Sequence, residues 1–284
     1  MYIPALNSNE QLVATAFSRQ SAIFDQLYSE NKIVQYKRQR VRDHLKQYIL
    51  PGNFILELNS GTGQDAIWLA QQGCKIHASD ISAGMQEVIE EKIKTEGLDD
   101  FISYELCSFT QLEDLQQKGP YDMIFSNFAG LNCTGELDRV LASFRTLLKP
   151  GGTITLVLLP GFCLWEFLLI FKGKFKTALR RFFSRDGRRA HLENTVFKCW
   201  YYNPSYITDF LKTEFDLLSI EGLCTFVPPS YIENFARKYP KLFEKLRRME
   251  DVYKNAWPWK YIGDYYIISL RKKSDVQNPD VQIQ

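Results

Sequence analysis

Apolar runs alternate with amphipathic segments through the middle of the chain. Each run precedes residues that start a helix or repeat with helical periodicity, and this alternation predicts βαβ units and a parallel sheet. Right-handed crossovers would then place helices on both faces of the sheet. The five runs are NFILEL (53–58), CKIHASD (74–80), FISYELC (101–107), YDMIFSN (121–127) and GTITLVLL (152–159).

Glycine, serine and proline mark the limits of the predicted helices. One helix covers 64–72 and stops at Gly73, and a second opens at Ser82 and runs to Gly97. A third covers 136–148 and stops before Pro150-Gly151. These are the residues that favour helix starts and ends, so the segments between the strands are predicted to be separate helices.

The two ends of the chain carry further elements. Two helices are predicted in the N-terminal part, at 12–28 and 32–48. Two last strands, FDLLSIEGL and GDYYIISLRK, are separated by a long charged helical segment at 231–254. The tail after Lys273 has a composition typical of disorder.

These elements predict one large domain with additions. We expect a helical cap at 1–50, a main domain at 51–273 with a cap insertion at about 161–203, and a disordered tail at 274–284. The apolar stretch 153–171 is nearly long enough to cross a membrane, but Pro160 and Gly161 divide it. A buried strand, a turn and a new helix are therefore expected there.

Composition narrows the classes of function. The 284 residues are 45% hydrophobic and 24% charged with a formal net charge of +2, which does not favour bulk binding to nucleic acid. The six cysteines are far apart and include no C-x-x-C pair, so we expect no metal site and no disulfide framework. Reduced thiols and an N-terminus without signal-peptide features predict a cytoplasmic protein.

The loop at Glu57–Gly63 is the first candidate binding site. In a doubly wound sheet, ligands bind beyond the carboxyl ends of the strands, where the strand order reverses. Gly61 and Gly63 permit positive φ and close approach of a ligand, and the helix that follows points free N–H groups into the same space. Asp80 ends the second strand and can bind a ribose.

Two classes of cofactor fit this loop. The string GTGQDA (61–66) satisfies the G-x-G-x-x-A pattern of dinucleotide sites. Glu57, however, lies at the end of the first strand, where its carboxylate would repel a pyrophosphate and attract an ammonium or a sulfonium. The position of Glu57 therefore favours a ligand that carries an ammonium and a sulfonium over a dinucleotide.

The sequence resembles the class I S-adenosylmethionine-dependent methyltransferases of the small-molecule type. Four motifs between about residues 50 and 160 carry this resemblance, and the final strand fits the extra strand of the family. The motifs are ELNSGTG (57–63), SDISAGM (79–85), YDMIFSNFAGLN (121–132) and LLKPGGTITL (147–156).

The resemblance implies a fold. It is a Rossmann-like α/β fold with a doubly wound, mostly parallel seven-stranded sheet and an antiparallel last strand. N-terminal helices and a helical cap insertion are expected around it. The implied cofactor is S-adenosylmethionine, with S-adenosylhomocysteine as its product.

The resemblance also implies which residues bind the cofactor. Glu57 and the backbone of 61–63 would line the methionine end, Asp80 would accept hydrogen bonds from both ribose hydroxyls, and Ile81 and Met85 would pack on adenine. The residues after strands three and four would complete the site. The implied set is Glu57, Asn59, Gly61, Thr62, Gly63, Asp80, Ile81, Met85, Ser108, Phe109, Asn127 and Phe128.

Two of these residues depart from the family pattern. Asn59 stands where the first glycine usually stands, and asparagine enters the left-handed region more readily than most residues. Ser108 stands where the family often has an acid that contacts the adenine amino group. The sequence alone therefore does not identify the group that contacts the adenine amino group.

The segment 160–191 has no place in the minimal fold and is expected to be a cap. Its aromatic and leucine side chains form an apolar face, and eight lysines and arginines make it basic. A cap helix packed on the domain, a lid over a hydrophobic acceptor that carries an anionic group, and a patch for a membrane surface all fit this pattern. RNA fits less well, because the net charge is small and no RNA-binding module is recognisable.

The sequence does not identify a catalytic base. His191, Tyr28 and Tyr202 are the candidates, with His44 and Tyr201 as further titratable residues. A base is needed only if the acceptor carries its proton at working pH, since the sulfonium methyl is already activated. We expect direct methyl transfer to a small, partly apolar molecule, with a nucleotide-dependent oxidoreductase and a non-catalytic binding scaffold as the alternatives.

Overall fold

The computed structural model describes residues 7–182, 184–232 and 234–274. It contains nine strands and ten α-helices within those residues. The strands are β1 (Phe54–Leu58), β2 (Lys75–Asp80), β3 (Ile102–Leu106), β4 (Tyr121–Ser126), β5 (Leu148–Leu158), β6 (Arg188–Leu192), β7 (Thr195–Cys199), β8 (Phe215–Leu223) and β9 (Tyr265–Lys272). The helices are α1 (Ser8–Ser29), α2 (Lys32–Leu45), α3 (Gln64–Gln71), α4 (Ala83–Glu96), α5 (Leu137–Leu147), α6 (Leu164–Phe167), α7 (Phe175–Ala178), α8 (Pro204–Leu211), α9 (Phe235–Lys238) and α10 (Pro240–Tyr253).

Seven strands form one sheet in the order β3-β2-β1-β4-β5-β9-β8. The first five strands are parallel to their neighbours, and β9 is inserted antiparallel between β5 and β8. The order reverses beside β1, so the ends of β1 and β4 form the switch point at which ligands bind in such sheets. The predicted fold class is confirmed.

Both faces of the sheet are covered because alternate residues of the central strands are apolar on each side. Leu56 and Leu58 of β1 belong to one core with α5, and Ile55 belongs to the other with α3 and α4. Parallel strands that are buried on both faces read as continuous apolar runs, as the sequence shows. Five residues of α5 reach the core at helical spacing: Leu137, Val140, Leu141, Phe144 and Leu147.

The N-terminal helices pack on the main domain. The side chain of Asn31 caps α2 by accepting hydrogen bonds from the N–H groups of Ile33 and Val34. His44 of α2 is 1% exposed and bridges Glu221 on β8, at 2.9 Å, and Ser269 on β9, at 2.8 Å. This buried histidine anchors α2 to the sheet.

The insertion after β5 is helical only in its first half. Short helices occupy Leu164–Phe167, Leu168–Lys172 and Phe175–Ala178, and β6 and β7 then form a separate antiparallel hairpin. Glu193 and Asn194 turn the hairpin with φ values of 46° and 58°. Two left-handed residues in succession are typical of the tight hairpin turn that matches strand twist. The prediction of an entirely helical cap was therefore wrong for residues 188–199.

Two other expectations are refined. The charged segment 231–254 is not one helix, because Pro240 lacks an N–H group and begins α10 anew after α9 ends at Lys238. The stretch 153–171 forms the end of β5, a turn and short helices. In the part of the chain described here, no helix has both the length and the apolarity to span a bilayer. The predicted disorder at 275–284 lies outside the described residues.

Truncation in the α5 core tests the packing. The Phe144 ring is fully buried, so Phe144→Ala should lower the free energy of unfolding by about 3–5 kcal/mol through lost apolar burial and a cavity. Phe210 on α8 is 42% exposed, and Phe210→Ala is the matched control, with an expected change within about 0.5–1 kcal/mol. Urea unfolding measures both. Equal losses for the two variants would contradict the assigned core.

Candidate functional site

The turn after β1 is held in a left-handed path. Asn59, Gly61 and Gly63 have φ values of 48°, 56° and 77°. A Cβ at Gly63 would lie 2.4 Å from a side-chain carbon of Ile89 on α4, so this position excludes any side chain. The turn thereby passes close to α4 and starts α3 with its N-terminus at the switch point.

Asn59 ties the turn to the end of β4. Its amide donates to the carbonyl of Asn127 at 2.9 Å, and its Oδ1 accepts from the Ser126 hydroxyl at 2.6 Å. A Cβ at Gly130 would lie 2.2 Å from Asn59 Cγ. The departure from glycine at position 59 is therefore matched by a glycine at 130 and adds two hydrogen bonds between neighbouring loops.

Asp80 receives two backbone donors. The N–H of Gly61 donates to its Oδ2 and the N–H of Ser82 to its Oδ1, both at 2.8 Å. Burial raises the pKa of the Asp80 carboxyl, and these hydrogen bonds oppose that effect. Each carboxylate oxygen has a second lone pair, so the side chain can accept two further hydrogen bonds from a ligand.

Glu57 is a buried carboxyl group with an unsatisfied oxygen. The residue is 2% exposed, and its Oε2 has no hydrogen-bond partner among the described residues. Burial raises the pKa of Glu57 well above its usual range, Asp65 and Asp80 raise it further, and Arg38 and Arg42 oppose the effect. The nearby Ser60 hydroxyl also lacks a partner. Such groups call for a ligand that donates hydrogen bonds and carries positive charge.

Asp65, in the first turn of α3, organises the opposite side of the site. It pairs with Arg38 at 2.6 Å and with Arg42 at 3.0 Å, and it accepts a hydrogen bond from the Asn127 amide at 2.7 Å. Burial raises the pKa of Asp65, but the two guanidinium groups outweigh burial and hold it below its usual value. Asp65 and Arg38 were not among the residues predicted from the sequence. The only local signal was an acid next to the glycine loop and two arginines one helical turn apart.

Helix α1 lies across the loops that follow β1, β2 and β3. Asp25 accepts from the Thr62 hydroxyl and the Gln64 amide and pairs with the Lys92 ammonium group. The Ser18 and Ser82 hydroxyls are hydrogen-bonded at 2.8 Å. These contacts make α1 the roof of the site.

Buried Glu10 of α1 approaches the loop after β3. Its carboxylate accepts hydrogen bonds from the Ser108 hydroxyl, at 3.2 Å, and from the Thr110 hydroxyl, at 2.5 Å. Glu10 is 3% exposed. A carboxylate is therefore present beside Ser108, where the resemblance led us to expect an acid, and it comes from a different element.

A single cavity lies at the switch point, between these loops and α1. Ten of the twelve residues predicted to bind the cofactor line it; Ser108 and Gly63 do not contribute to its wall. The ten are Glu57, Asn59, Gly61, Thr62, Asp80, Ile81, Met85, Phe109, Asn127 and Phe128. The other lining residues are Val13, Phe17, Phe24, Arg38, Ser60, Gln64, Asp65, Gly130 and Cys133. The cavity is thus a single concave site in which acidic side chains and the N-terminus of α3 lie beside apolar side chains.

The three candidates for a catalytic base lie outside this wall. His191 is exposed on the β6–β7 hairpin, opposite Val196. The Tyr202 hydroxyl donates to the Thr134 carbonyl at 2.6 Å, and burial raises its pKa, which suits a structural role. Tyr28 packs edge-on against Phe24, a cavity residue, with ring centroids 4.9 Å apart.

One group among the described residues has the spacing of metal ligands. Its members are Cys163, Glu166 and Asp264. The Arg181 guanidinium, however, donates to Glu166 Oε1 and to Asp264 Oδ1, each at 2.7 Å. The positive charge of Arg181 therefore occupies the position that a cation would take.

The central part of the chain is similar to known methyltransferases. A family model described as a methyltransferase domain matches residues 55–152. The methyltransferase GfsG of Streptomyces halstedii is 26% identical over 106 residues, which are 37% of this chain and 37% of that protein. The chain thus aligns with well under two thirds of that relative.

Two solved structures share the fold along almost the whole chain. The [4+2]-cyclase SpnF is 16% identical, with a TM-score of 0.61 over 96% of this chain and 98% of SpnF. The 1,6-didemethyltoxoflavin-N1-methyltransferase of Burkholderia thailandensis is 12% identical, with a TM-score of 0.54 over 96% and 94% of the two chains. These structures confirm the methyltransferase fold, and the cyclase illustrates that this fold also supports other chemistry.

The close approach of Asn59 to Gly130 is testable by a double-mutant cycle. Gly130→Ala should destabilise the chain by about 1–3 kcal/mol, because its Cβ collides with the Asn59 side chain. In an Asn59→Gly background most of this cost should disappear, which gives a coupling energy of about 1 kcal/mol or more. Urea unfolding of the four proteins provides the values. Additive effects of the two substitutions would show that the two loops are not packed as described.

Proposed function

We propose that this chain, whose residues 55–152 match a methyltransferase domain, acts as a class I S-adenosylmethionine-dependent methyltransferase on a small, partly apolar molecule. The observation that carries the proposal is the buried Glu57 carboxyl of β1, beside the glycine turn and Asp80, whose Oε2 has no hydrogen-bond partner among the described residues. The resemblance in sequence, the matched domain and the shared fold support it.

The cavity fits this cofactor group by group. Glu57 Oε2 and the Ser60 hydroxyl would hold the ammonium group of its methionine part, because both are buried and neither has a partner in the part of the chain that the structure describes. Asp80 would accept hydrogen bonds from the ribose hydroxyls with its remaining lone pairs. Ile81, Met85 and other apolar residues of the wall would pack on the adenine.

Glu10, which Ser108 and Thr110 hold beside the wall residue Phe109, would supply negative charge at the edge of the adenine from behind the cavity wall. In this proposal the Glu10 carboxylate takes the role of the acid that is missing from the loop after β3, and Ser108 positions it through the hydrogen bond at 3.2 Å. The roof helix would thus be part of cofactor recognition. This arrangement links binding of the cofactor to the docking of α1.

When bound, the cofactor supplies a methyl group on a positively charged sulfur, which is already activated for transfer. The chain's own contribution is to hold the two reactants in line and to exclude water. The roof helix covers the loops after β1, β2 and β3, and Phe24 and Phe128 add apolar walls. Of the three candidates for a base, we retain Tyr28, because it contacts Phe24.

The end of β4 is the proposed acceptor side. The Phe128 ring has the Arg38 guanidinium 4.9 Å and the Lys37 ammonium 5.4 Å from its centroid. Lys37 is 3% exposed, lies 4.5 Å from the centroid of the Tyr265 ring and donates to the Ser230 hydroxyl. Aromatic faces beside fixed positive charge suit an acceptor with an apolar body and an anionic or electron-rich group.

The two alternatives are weaker. A dinucleotide would place a pyrophosphate close to Glu57, whose carboxylate would repel it. A binding scaffold, or a catalyst of another reaction as in SpnF, would keep the fold and does not require methyl transfer.

The free thiols of all six cysteines also lead us to propose a reducing compartment.

Calorimetric titration with S-adenosylhomocysteine tests the cofactor assignment. Asp80→Ala should weaken binding by about 2–3 kcal/mol, roughly 30- to 150-fold, through loss of charge-assisted hydrogen bonds. Asp99→Ala, at an exposed position on the surface, is the matched control and should leave affinity unchanged. Binding of NAD but not of the adenosyl compound, or equal affinity of Asp80→Ala and the native chain, would refute the assignment.

The raised pKa of Glu57 predicts a pH dependence of binding. A ligand ammonium group stabilises the carboxylate, so the bound state has a lower Glu57 pKa than the free protein, and binding releases a proton. Affinity for S-adenosylhomocysteine should therefore fall as the pH is lowered through the raised pKa of the free protein. Glu57→Gln should bind more weakly and lose most of this dependence.

Calorimetry in two buffers of different ionisation enthalpy measures the released proton directly. The control is Asp99→Asn, which should keep the pH dependence of the native chain. If affinity does not change with pH, or if Glu57→Gln retains the native pH profile, the ammonium group is not held by Glu57.

A further inference from the structure

The insertion after β5 carries an exposed surface that the proposed methyl transfer does not use. Residues 168–182, which we call the aromatic-basic protrusion, expose several large apolar side chains to solvent. The Phe171 ring is 82% exposed and the Phe175 ring 57% exposed. The others are Leu168, Leu179 and Phe182. A group of exposed phenylalanines and leucines of this kind marks an interaction site.

The base of the protrusion is fixed to the domain. Arg181 is 3% exposed and donates to Glu166 and Asp264, as well as to the Pro160 carbonyl at 3.2 Å. Arg180 also pairs with Glu166. Since this buried network holds the root of the segment, the outward direction of Phe171 and Phe175 is a feature of the fold.

The charge of the protrusion has one sign. Lys172, Lys174 and Lys176 are exposed and alternate with the exposed phenylalanines. The sequence has no Asp or Glu between Glu166 and Asp186. The surface therefore offers positive charge and apolar rings together.

We propose that the aromatic-basic protrusion binds the surface of a membrane that contains anionic lipids. Lysines attract anionic head groups, and phenylalanine rings enter the boundary between head groups and acyl chains, so the two halves of this pattern match the two layers that a bilayer presents. An acidic protein would account for the lysines but would not require Phe171 and Phe175 to project together. RNA could stack on the rings, but the net charge of +2 and the lack of a recognisable RNA-binding module disfavour it. The protein would then sit on the membrane without spanning it.

Co-sedimentation with lipid vesicles tests the proposal on the full chain. The probes are vesicles of phosphatidylcholine with about 30% phosphatidylserine, and vesicles of phosphatidylcholine alone. We expect binding to the mixed vesicles that weakens in about 0.5 M salt, and much weaker binding to the neutral ones.

Two sets of variants separate charge from insertion. Substitution of Lys172, Lys174 and Lys176 by Gln should weaken binding about fivefold per lysine. The matched control replaces Lys241, Lys245 and Arg248, which are exposed on α10, by Gln; it removes the same charge elsewhere and should have little effect.

The second set removes the exposed rings. Phe171→Ser with Phe175→Ser should weaken binding about tenfold or more, since the apolar contact with the acyl boundary is lost. Val252→Ser, at a position 71% exposed on α10, is the control. Every variant is first titrated with S-adenosylhomocysteine without vesicles, which shows that it is folded and separates this proposal from the proposed function.

Three results would overturn the proposal. The first is no binding of the native chain to the mixed vesicles. The second is equal weakening by the lysine set on the protrusion and the control set on α10, which would indicate nonspecific attraction. The third is unchanged binding after loss of both phenylalanines, which would identify a purely electrostatic surface for an acidic polymer.

Discussion

The left-handed turn between β1 and α3 is the constraint on which the site depends. Asp80 holds the turn from one side through the Gly61 N–H, and Asn59 holds it from the other through Asn127 and Ser126. Because the turn is fixed on both sides, the Glu57 carboxyl stays in a buried position that no described protein group neutralises by direct contact. Burial of an unpartnered carboxyl is costly, and this cost is offset when a ligand supplies the missing donor.

The roof helix α1 also fixes loops of the site through polar contacts. Asp25 and Glu10 reach the loops after β1 and β3, and Ser18 reaches the loop after β2. Three polar contacts along α1 therefore hold this helix over the loops of the cavity. Since those loops also line the cavity, any ligand that orders them would strengthen the docking of α1.

Much of this structure could be predicted from the sequence, because the patterns that define its strands and helices lie within short segments of the chain. The apolar runs of the five parallel strands and the glycine and serine limits of the helices place each element within a few residues. Ten of the proposed cofactor residues could be located at the cavity because they follow strand ends, which meet at one edge of a parallel sheet.

The remaining features depend on contacts between distant segments. Glu10 lies 98 residues from Ser108, and Arg38 lies 27 residues from Asp65. No short sequence pattern predicts either contact. The β6–β7 hairpin was missed because its apolar and basic residues also fit a helix, and the turn at Glu193-Asn194 lacks glycine. Pro240 lies inside the charged segment and marks a helix boundary that was not predicted.

A crystal structure of the chain with S-adenosylhomocysteine would show whether Glu57 and Asp80 hold the cofactor. We expect the ligand's amino group within hydrogen-bond distance of Glu57 Oε2 and both ribose hydroxyls on the Asp80 carboxylate. A ligand bound elsewhere, or one in this cavity whose amino group avoids Glu57 while the carboxyl remains unpartnered, would contradict it.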